Sequence, residues 1–148
     1  MTAEQGPVGV CLIDDDQVYT FGFKKLINLR GLNSRVINFS DGNQAITWLT
    51  NPLNGHDLPD VIFLDINMPN MDGWDFMREF AEIKSQLGKK ITIYMLSSSI
   101  NLNDIYRAKK ITDVADYIFK PINEYQLNAI FNGIKSEIGN QTFKNGTI

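Results

Sequence analysis

The chain has 148 residues, which is long enough for one folded domain with a hydrophobic core. Hydrophobic residues make up 43% of it, and this composition argues against a disordered protein. Its net charge of −3 offers no basic surface for nucleic acid, and its length leaves no room for a second, DNA-binding domain. No stretch approaches the roughly 20 apolar residues of a membrane span, and the single cysteine, Cys11, excludes an internal disulfide, so the expected location is the cytoplasm.

Short apolar runs alternate with amphipathic segments along the chain, which is typical of an α/β fold with a parallel sheet. Five runs are predicted to be strands: Val8–Ile13, Arg35–Phe39, Val61–Leu64, Ile91–Leu96 and Ala115–Phe119. The third run is apolar throughout, as expected of a central strand buried on both faces. Cys11 lies inside the first run and is predicted to be a buried core thiol. Right-handed crossovers place helices on both faces of such a doubly wound sheet.

The amphipathic segments between the runs are predicted to be five helices, because apolar residues recur in them at helical spacing. Their predicted positions are Gln17–Leu29, a short helix capped by Ser40 or Asp41, Trp74–Leu87, Asn103–Lys110 and Glu124–Ile138. Gly31 and Gly88 are expected to end the first and third helices. The apolar stripe of Asn103–Lys110 is thin, so this helix is predicted to be the least anchored.

Three segments fall outside these elements. Residues 1–7 are predicted to be an N-terminal extension of a domain that spans 8–138, and residues 139–148 a frayed C-terminal tail. The nine-residue segment Asn51–Pro59 has the composition of a loop and is long for its type. It contains the single histidine, His56, for which no catalytic or phosphoacceptor role is expected.

Four of the predicted strands are followed by side chains that are candidates for chemistry at one shared site. Asp14-Asp15-Asp16 follow the first strand, Asp65 the third, Ser97 the fourth and Lys120 the fifth. The carboxyl ends of parallel strands share one edge of the sheet, where ligands bind in open α/β folds, so these side chains are expected to converge. Carboxylates, a hydroxyl and an ammonium together suit a divalent cation and a phosphoryl group.

The acidic residues suggest a metal site and a nucleophile. Adjacent carboxylates ionise together only beside a cation, and hard oxygen ligands suit Mg²⁺, so Asp14 and Asp15 are candidate ligands. Asp16 is expected to cap the first helix instead. Asp65 is a candidate nucleophile, because a carboxylate can attack phosphorus and form an acyl phosphate. Seen alone, the acidic run is also compatible with a simple helix cap.

Ser97 and Lys120 complete the set. The hydroxyl of Ser97 is a candidate to hydrogen-bond one phosphoryl oxygen. Lys120 is a candidate to pair with Asp65 before phosphorylation and with another phosphoryl oxygen afterwards. A turn cap is the structural alternative for Ser97, and a solvated strand-end lysine is the alternative for Lys120. The conjunction of all four strand ends favours the functional interpretation.

The segment from Leu64 to Gly73 reads Leu-Asp-Ile-Asn-Met-Pro-Asn-Met-Asp-Gly and closely matches the phosphoacceptor motif of receiver domains in two-component response regulators. With the acidic pair, Ser97 and Lys120, it makes the chain resemble that family over about Val8–Ile138. The resemblance implies a flavodoxin-like fold, with a five-stranded parallel sheet in the order 2-1-3-4-5 and five flanking helices. It points to a stand-alone receiver with an extended loop before the third strand.

The resemblance also implies a site. Asp65 takes a phosphoryl group from a histidine kinase or a histidine phosphotransfer protein. Asp15 and Asp65 ligate Mg²⁺ together with the backbone carbonyl of Asn67, and Asp14 acts mainly through water. Lys120 matches the family's lysine, and no turnover of a separate substrate is expected beyond the domain's own phosphotransfer and autodephosphorylation.

Ser97 and Tyr117 match the family's switch hydroxyl and switch aromatic residue. Output is then expected by protein–protein contact through the helix Asn103–Lys110, the fifth strand and the last helix, in a monomer or a phosphorylation-dependent dimer. No nucleic-acid or membrane partner is expected. The exposed candidates on this face are Tyr106, Arg107, Lys109, Lys110 and Tyr117.

Two other functions are compatible with parts of the sequence. A phosphatase of the haloacid-dehalogenase type uses Asp-x-Asp after a strand, which Asp14 to Asp16 fit literally, but it leaves Asp65 without a role. A pseudo-receiver, which binds partners without taking phosphate, is the second alternative. The motifs of nucleotide-binding loops are missing.

Overall fold

The computed structural model of the protein describes residues 6–146, with side-chain environments from 6 to 138. Within that range the strands are β1 (Val8–Ile13), β2 (Ser34–Phe39), β3 (Val61–Asp65), β4 (Thr92–Ser97) and β5 (Val114–Phe119). The α-helices that alternate with them are α1 (Gln17–Leu29), α2 (Gly42–Thr50), α3 (Gly73–Leu87), α4 (Leu102–Lys109) and α5 (Glu124–Gly146). A short 3-10 helix, Pro52–Asp57, lies between α2 and β3.

The strands form one parallel sheet in the order β2-β1-β3-β4-β5. The predicted doubly wound fold and the strand order implied by the resemblance are therefore confirmed. The inner strands β1 and β3 are buried along their whole length, whereas the edge strands β2 and β5 are half exposed. Asp65 at the end of β3 pairs with Leu96 of β4. The residues that follow these two strands therefore start at about the same height along the sheet.

Alternate residues of the inner strands point to opposite faces, and each face has its own hydrophobic core. On one face Cys11 and Ile13 pack with residues of α2 and α3. On the other face Val10 and Leu12 pack with residues of α1 and α5. Helices thus cover both faces, as predicted. Cys11 is fully buried, as expected, and this burial raises the pKa of its thiol.

The helix ends follow residues that satisfy the free backbone groups there. The carboxylates of Asp16 and Asp41 accept hydrogen bonds from backbone N–H groups in the first turns of α1 and α2. Gly31 and Gly88 adopt left-handed backbone conformations, with φ of 62° and 65°, just after α1 and α3. The predicted cap at Asp16 and the predicted stops at the two glycines are therefore confirmed.

Part of the predicted loop Asn51–Pro59 is instead the 3-10 helix. The side chain of Asn51 accepts a hydrogen bond from the backbone N–H of Leu53, and the side-chain amide of Asn54 donates to the carbonyl of Trp48 at 2.9 Å. This short 3-10 helix is held by polar side chains and carries no periodic apolar pattern. The sequence of turn-forming residues therefore predicted a loop, and that prediction was wrong for Pro52–Asp57.

The last helix is longer than predicted. It ends at Gly146 rather than at Ile138, so the predicted helix end was wrong. The apolar face stops at Ile138, but nothing in the segment that follows forces a helix to end. A glycine inside a helix costs only about 1 kcal/mol, far less than a proline. The division into an extension, a domain and a tail stays a prediction, and residues 1–5 and 147–148 lie outside the described residues.

The helix α4 is lightly anchored, as its thin apolar stripe predicted. Among its residues, all of which are described, Ala108 is the only buried one. By contrast, α3 buries six residues, which include Phe76 and Phe80. Across residues 6–146, none of the helices combines the length and the apolar character that crossing a membrane would require.

Candidate functional site

Asp14 and Asp15 follow β1 directly but lie in different environments. Asp14 is 3% exposed, and its Oδ1 accepts a hydrogen bond of 2.8 Å from the backbone N–H of Asp16. Its own N–H donates to the carbonyl of Phe39 at the end of β2. Asp15 is exposed. One carboxylate is therefore fixed inside the protein, and its neighbour reaches the surface beside it.

Asp65 is the last residue of β3 and is 4% exposed. Its Oδ1 accepts a hydrogen bond of 3.3 Å from the backbone N–H of Asn67. The loop that follows is closed by the N–H of Gly73, which donates to the carbonyl of Ile66 at 2.8 Å. A Cβ at Gly73 would lie 2.8 Å from the Cα of Ile66, so this close approach requires glycine.

The acidic residues and Lys120 meet at the carboxyl edge of the sheet. One carboxylate oxygen from each of Asp14, Asp15 and Asp65 lies within 4.8 Å of the other two. The Nζ of Lys120 lies 2.6 Å from Oδ2 of Asp14 and 3.5 Å from Oδ1 of Asp65. The structure therefore brings these four side chains together. The nearest partner of Lys120 is Asp14, whereas the sequence pattern had suggested Asp65.

The charges around Asp65 are not balanced. Burial of its carboxyl and, to a lesser extent, the nearby Asp14 carboxylate raise the pKa of Asp65 from 3.8 to about 6. The ammonium of Lys120 and the N–H of Asn67 act in the opposite direction but do not cancel the effect. Three carboxylates against one ammonium leave a net charge of −2 when all are ionised.

These residues fit a hard divalent cation. Mg²⁺ takes oxygen ligands, keeps several waters and binds through a few carboxylates, and this cluster offers a buried pair of carboxylates beside an exposed one. Burial is the main cause of the raised pKa of Asp65 and the charge of Asp14 is the second, and a bound cation would offset that charge. Asn67 is exposed and adjoins this cluster through its backbone N–H, and the use of its carbonyl as a ligand stays a prediction.

Ser97 ends β4 and is fully buried. Its hydroxyl is 3.3 Å from the carbonyl of Ser99 and 3.2 Å from the Ser99 hydroxyl, and it accepts from the Ser99 N–H at 3.2 Å. The carbonyl of Ser97 accepts a hydrogen bond of 2.8 Å from the N–H of Lys120. Ser97 therefore adjoins Lys120 through the backbone while its hydroxyl is turned to the β4–α4 connection.

Tyr117, on β5, reaches the same connection. Its hydroxyl donates to the carbonyl of Ser99 at 3.4 Å, so the hydroxyls of Ser97 and Tyr117 share one acceptor. Its ring contacts Phe119 edge-on, with 5.6 Å between the centroids. The side chain of Tyr117 is half-buried rather than exposed, which corrects the expectation that it lies on the surface.

Two aromatic contacts near the site were not predicted. The ammonium of Lys120 lies over the ring of Tyr19, 4.5 Å from its centroid, and burial raises the pKa of the Tyr19 phenol to about 12. The guanidinium of Arg107 on α4 lies 4.4 Å from the ring centroid of Trp74, in the first turn of α3. Helical periodicity alone assigns Tyr19 to the core. No sequence motif indicates either of these aromatic contacts.

His56 lies apart from the carboxylates. It is an exposed residue of the 3-10 helix that precedes β3, at the amino edge of the sheet. Its position agrees with the expectation that it has no part in the site.

A family model for the response regulator receiver domain matches residues 10–132. Among solved structures, a two-component response regulator from Cytophaga hutchinsonii has a TM-score of 0.81 and 28% identity, and the match covers 89% of this chain and 99% of that one. The phosphorylated cyanobacterial phytochrome response regulator RcpA has a TM-score of 0.66 and 30% identity, with 88% of this chain and 92% of that one covered.

Relatives found by sequence include proteins of different lengths. The probable methanogenesis regulatory protein FilR2 of Methanothrix harundinacea is 24% identical over 88% of this chain and 83% of its own length. The transcriptional regulatory protein CpxR of Klebsiella pneumoniae is 29% identical over 84% of this chain and 48% of its own length. The sensor histidine kinase CheAY of Helicobacter pylori is 28% identical over 86% of this chain but only 15% of its own length.

The family match covers most of the chain, and the sheet order agrees with it. The match also includes the acidic residues after β1 and the residues that end β3, β4 and β5. The chain therefore belongs to the receiver-domain family of two-component response regulators.

Proposed function

We propose that this domain controls a signal by phosphorylation of Asp65, which takes its phosphoryl group from a histidine kinase or a histidine phosphotransfer protein with Mg²⁺ as cofactor. The observation that carries this proposal is the position of Asp65, buried at the end of β3 beside two carboxylates and Lys120. A carboxylate oxygen of Asp65 attacks phosphorus, the P–N bond of phosphohistidine breaks, and the imidazole, already protonated on its other ring nitrogen, leaves as a neutral side chain.

Asp14, Asp15, Asp65 and the carbonyl of Asn67 would hold the metal. Mg²⁺, when bound, offsets negative charge on the phosphoryl oxygens during transfer. Asp14 has a second task, because it holds the ammonium of Lys120 at 2.6 Å. Because Asp14 is buried, its position relative to Asp65 is fixed, and so are the positions of the metal and of the Lys120 ammonium that it would hold.

Lys120 and Ser97 serve the phosphorylated state. The ammonium of Lys120, 3.5 Å from Asp65, pairs with a phosphoryl oxygen once Asp65 carries the group. The hydroxyl of Ser97 leaves Ser99 and donates to another phosphoryl oxygen. The hydroxyl of Tyr117 then loses its competitor for the Ser99 carbonyl, and the β4–α4 connection can repack. Phosphorylation thereby favours one of two arrangements of the same segment.

The output face is formed by α4, β5 and α5. The exposed residues here are Tyr106, Arg107 and Lys109 of α4 and Lys110, which follows it, and this helix is the lightly anchored one. Aromatic and arginine side chains commonly anchor protein–protein contacts. The proposed partners are a kinase or phosphotransfer protein and a downstream protein. Two relatives are themselves named as histidine kinases and contain a segment that matches this chain.

The phosphatase alternative is disfavoured by the position of Asp16. A nucleophile pair at Asp14 and Asp16 needs both carboxylates in the site, but the carboxylate of Asp16 accepts the backbone N–H groups of Val18 and Tyr19. The carboxylate cluster contains Asp65 instead.

Intact mass after incubation with acetyl phosphate and Mg²⁺ tests the proposal. One labile phosphoryl group should appear in the wild type and should be lost in Asp65→Asn. Asp16→Asn is the matched control and should be phosphorylated like the wild type. Phosphorylation of Asp65→Asn at the wild-type rate would show that Asp65 is not the acceptor. No phosphorylation of the wild type by either acetyl phosphate or a phosphohistidine donor would support a pseudo-receiver.

A further inference from the structure

The ammonium of Lys120 has three close neighbours. Two are the carboxylates of Asp14 and Asp65, at 2.6 and 3.5 Å, and the third is the ring of Tyr19, whose centroid lies at 4.5 Å. The side chain of Lys120 is only 13% exposed, so this cation–π contact is largely shielded from water. Such contacts are stronger when they are desolvated.

The ring of Tyr19 is held in place from two sides. Its backbone N–H donates to the carboxylate of Asp16, which sets Tyr19 in the first turn of α1, directly after the acidic residues. The centroid of its ring lies 6.3 Å from that of Phe23, and the centroid of Phe23 lies 5.1 Å from that of Phe63 of β3. A row of aromatic rings thus runs from the core to Lys120 and fixes the surface on which the ammonium rests.

The ring face of Tyr19, rather than its hydroxyl, makes the contact. The buried hydroxyl approaches the backbone of Ile122 but makes no hydrogen bond of standard geometry with any described group. A phenylalanine at this position would therefore keep the contact and lose little else. The same helix provides a control contact. There the Nζ of Lys25 lies 5.7 Å from the ring centroid of the exposed Phe21, away from the site.

The two carboxylate partners of Lys120 change during the proposed reaction. A metal ion shares the charge of Asp14 and Asp65, and phosphorylation converts the carboxylate of Asp65 into an acyl phosphate. The ring of Tyr19 is the one of the three neighbours whose contact with Lys120 is independent of both events. Without it, the four-carbon side chain of Lys120 would lose the surface that directs it toward Asp65.

We propose that Tyr19 is a positioning residue for phosphoryl transfer, which holds the ammonium of Lys120 beside Asp65 through the face of its ring. This inference rests on the proposed function of Asp65 and adds a residue to it. Tyr19 touches neither the phosphoryl group nor the metal. It acts through Lys120, so its loss should slow transfer and leave the acceptor carboxylate intact.

Three variants test the inference: Tyr19→Leu, Tyr19→Phe and Phe21→Leu. With acetyl phosphate at saturating Mg²⁺, Tyr19→Leu should slow phosphorylation of Asp65 about five- to tenfold, as the loss of a desolvated cation–π contact implies. Tyr19→Phe should stay within about twofold of the wild type, because the ring remains. Phe21→Leu removes an exposed ring on the same helix and should also leave the rate unchanged.

A second measurement needs neither phosphodonor nor metal. The ring current of Tyr19 should shift the NMR signals of the Lys120 ε-CH₂ protons upfield in the wild type and in Tyr19→Phe, but not in Tyr19→Leu. The absence of this shift in the wild type would overturn the inference even if Tyr19→Leu does not fold.

The outcomes separate the two proposals. A wild type that is phosphorylated, with Tyr19→Leu reacting at the same rate, would overturn the role of Tyr19 alone. Slowing by Tyr19→Phe equal to that by Tyr19→Leu would assign the effect to the hydroxyl and also overturn it. A wild type that takes no phosphoryl group from any donor would overturn the function proposed for Asp65, and with it the role of Tyr19.

Discussion

The Nζ of Lys120 lies 2.6 Å from Oδ2 of Asp14, closer than to any oxygen of Asp65. The side chain of Asp14 is fully buried, and that of Lys120 is 13% exposed. The pair is therefore an ion pair of the interior, where removal of one partner leaves an uncompensated charge. Lys120 therefore offsets part of the negative charge of the acidic cluster.

Lys120→Met should therefore destabilise the protein when Mg²⁺ is absent, by about 3 kcal/mol in the free energy of unfolding. Added Mg²⁺ should stabilise this variant more than the wild type, because the metal replaces the missing positive charge. Chemical denaturation with and without Mg²⁺ measures both effects.

Lys84→Met is the control for that prediction. It breaks the more exposed pair with Asp113, and such pairs contribute about 0–1 kcal/mol. Equal destabilisation by the two substitutions would show that the pair of Lys120 with Asp14 has no special role.

Asp65→Asn should stabilise the protein at pH 8 without Mg²⁺. The pKa of Asp65 rises from 3.8 to about 6 on folding, so between these values the folded state binds more protons than the unfolded state. The stability of the wild type therefore falls as pH rises through this window, and the cost is complete above about pH 6. The neutral amide escapes a penalty of roughly 2–3 kcal/mol.

The comparison of the two proteins across pH checks this sign. The stability difference should be present at pH 8, shrink below about pH 6 and vanish near pH 4. Saturating Mg²⁺ should reduce it at pH 8 by stabilising the wild type alone. A difference that is constant with pH would refute the role of the carboxylate charge.

Asp15→Ala should weaken Mg²⁺ binding and slow phosphorylation together. Asp15 is the exposed member of the carboxylate cluster, so its removal costs a ligand and no core packing. Isothermal titration with Mg²⁺ measures the first effect, and intact mass with acetyl phosphate measures the second.

Asp16→Ala is the neighbouring control. It removes the cap of α1, which should cost about 1 kcal/mol of stability, and should leave Mg²⁺ affinity unchanged. Unchanged affinity in Asp15→Ala would show that Asp15 does not ligate the metal.

A stable phosphoryl mimic at Asp65 should shift the NMR signals of residues 97–119. The reason is the shared acceptor: the hydroxyl of Ser97 must leave the Ser99 carbonyl, to which Tyr117 also donates. In Ser97→Ala, the mimic should still perturb the surroundings of Asp65 but should no longer move Tyr117. Changes confined to the surroundings of Asp65 in the wild type would contradict the proposed switch.

Much of the fold was predictable because apolar periodicity and cap residues decide it. The fully apolar runs Val8–Ile13 and Val61–Leu64 form β1 and β3, two inner strands that are buried along their whole length, and Asp16 caps α1 as expected. Helix ends were less certain where polar sequence neither favours nor stops a helix, as in α5 after Ile138. The 3-10 helix was missed because its stability comes from side-chain hydrogen bonds.

The candidate site was predictable as a set of strand ends but not as a set of contacts. Asp14, Asp15, Asp65 and Lys120 converge because parallel strands end at one edge. The preference of Lys120 for Asp14 depends on distances of about an ångström, which sequence patterns do not contain. The half-buried position of Tyr117 likewise depends on the packing of the β4–α4 connection.

The stacking of Arg107 on Trp74 has an optical consequence. Trp74 is the second residue of α3, directly after the loop that follows Asp65, and Arg107 belongs to α4. A movement of α4 would withdraw the guanidinium of Arg107 from the indole of Trp74 and change the fluorescence of that indole. The other tryptophan, Trp48, packs on Phe39 at 6.0 Å, away from α4. If α4 moves on phosphorylation as proposed, the fluorescence of Trp74 would report that movement in real time and without a label.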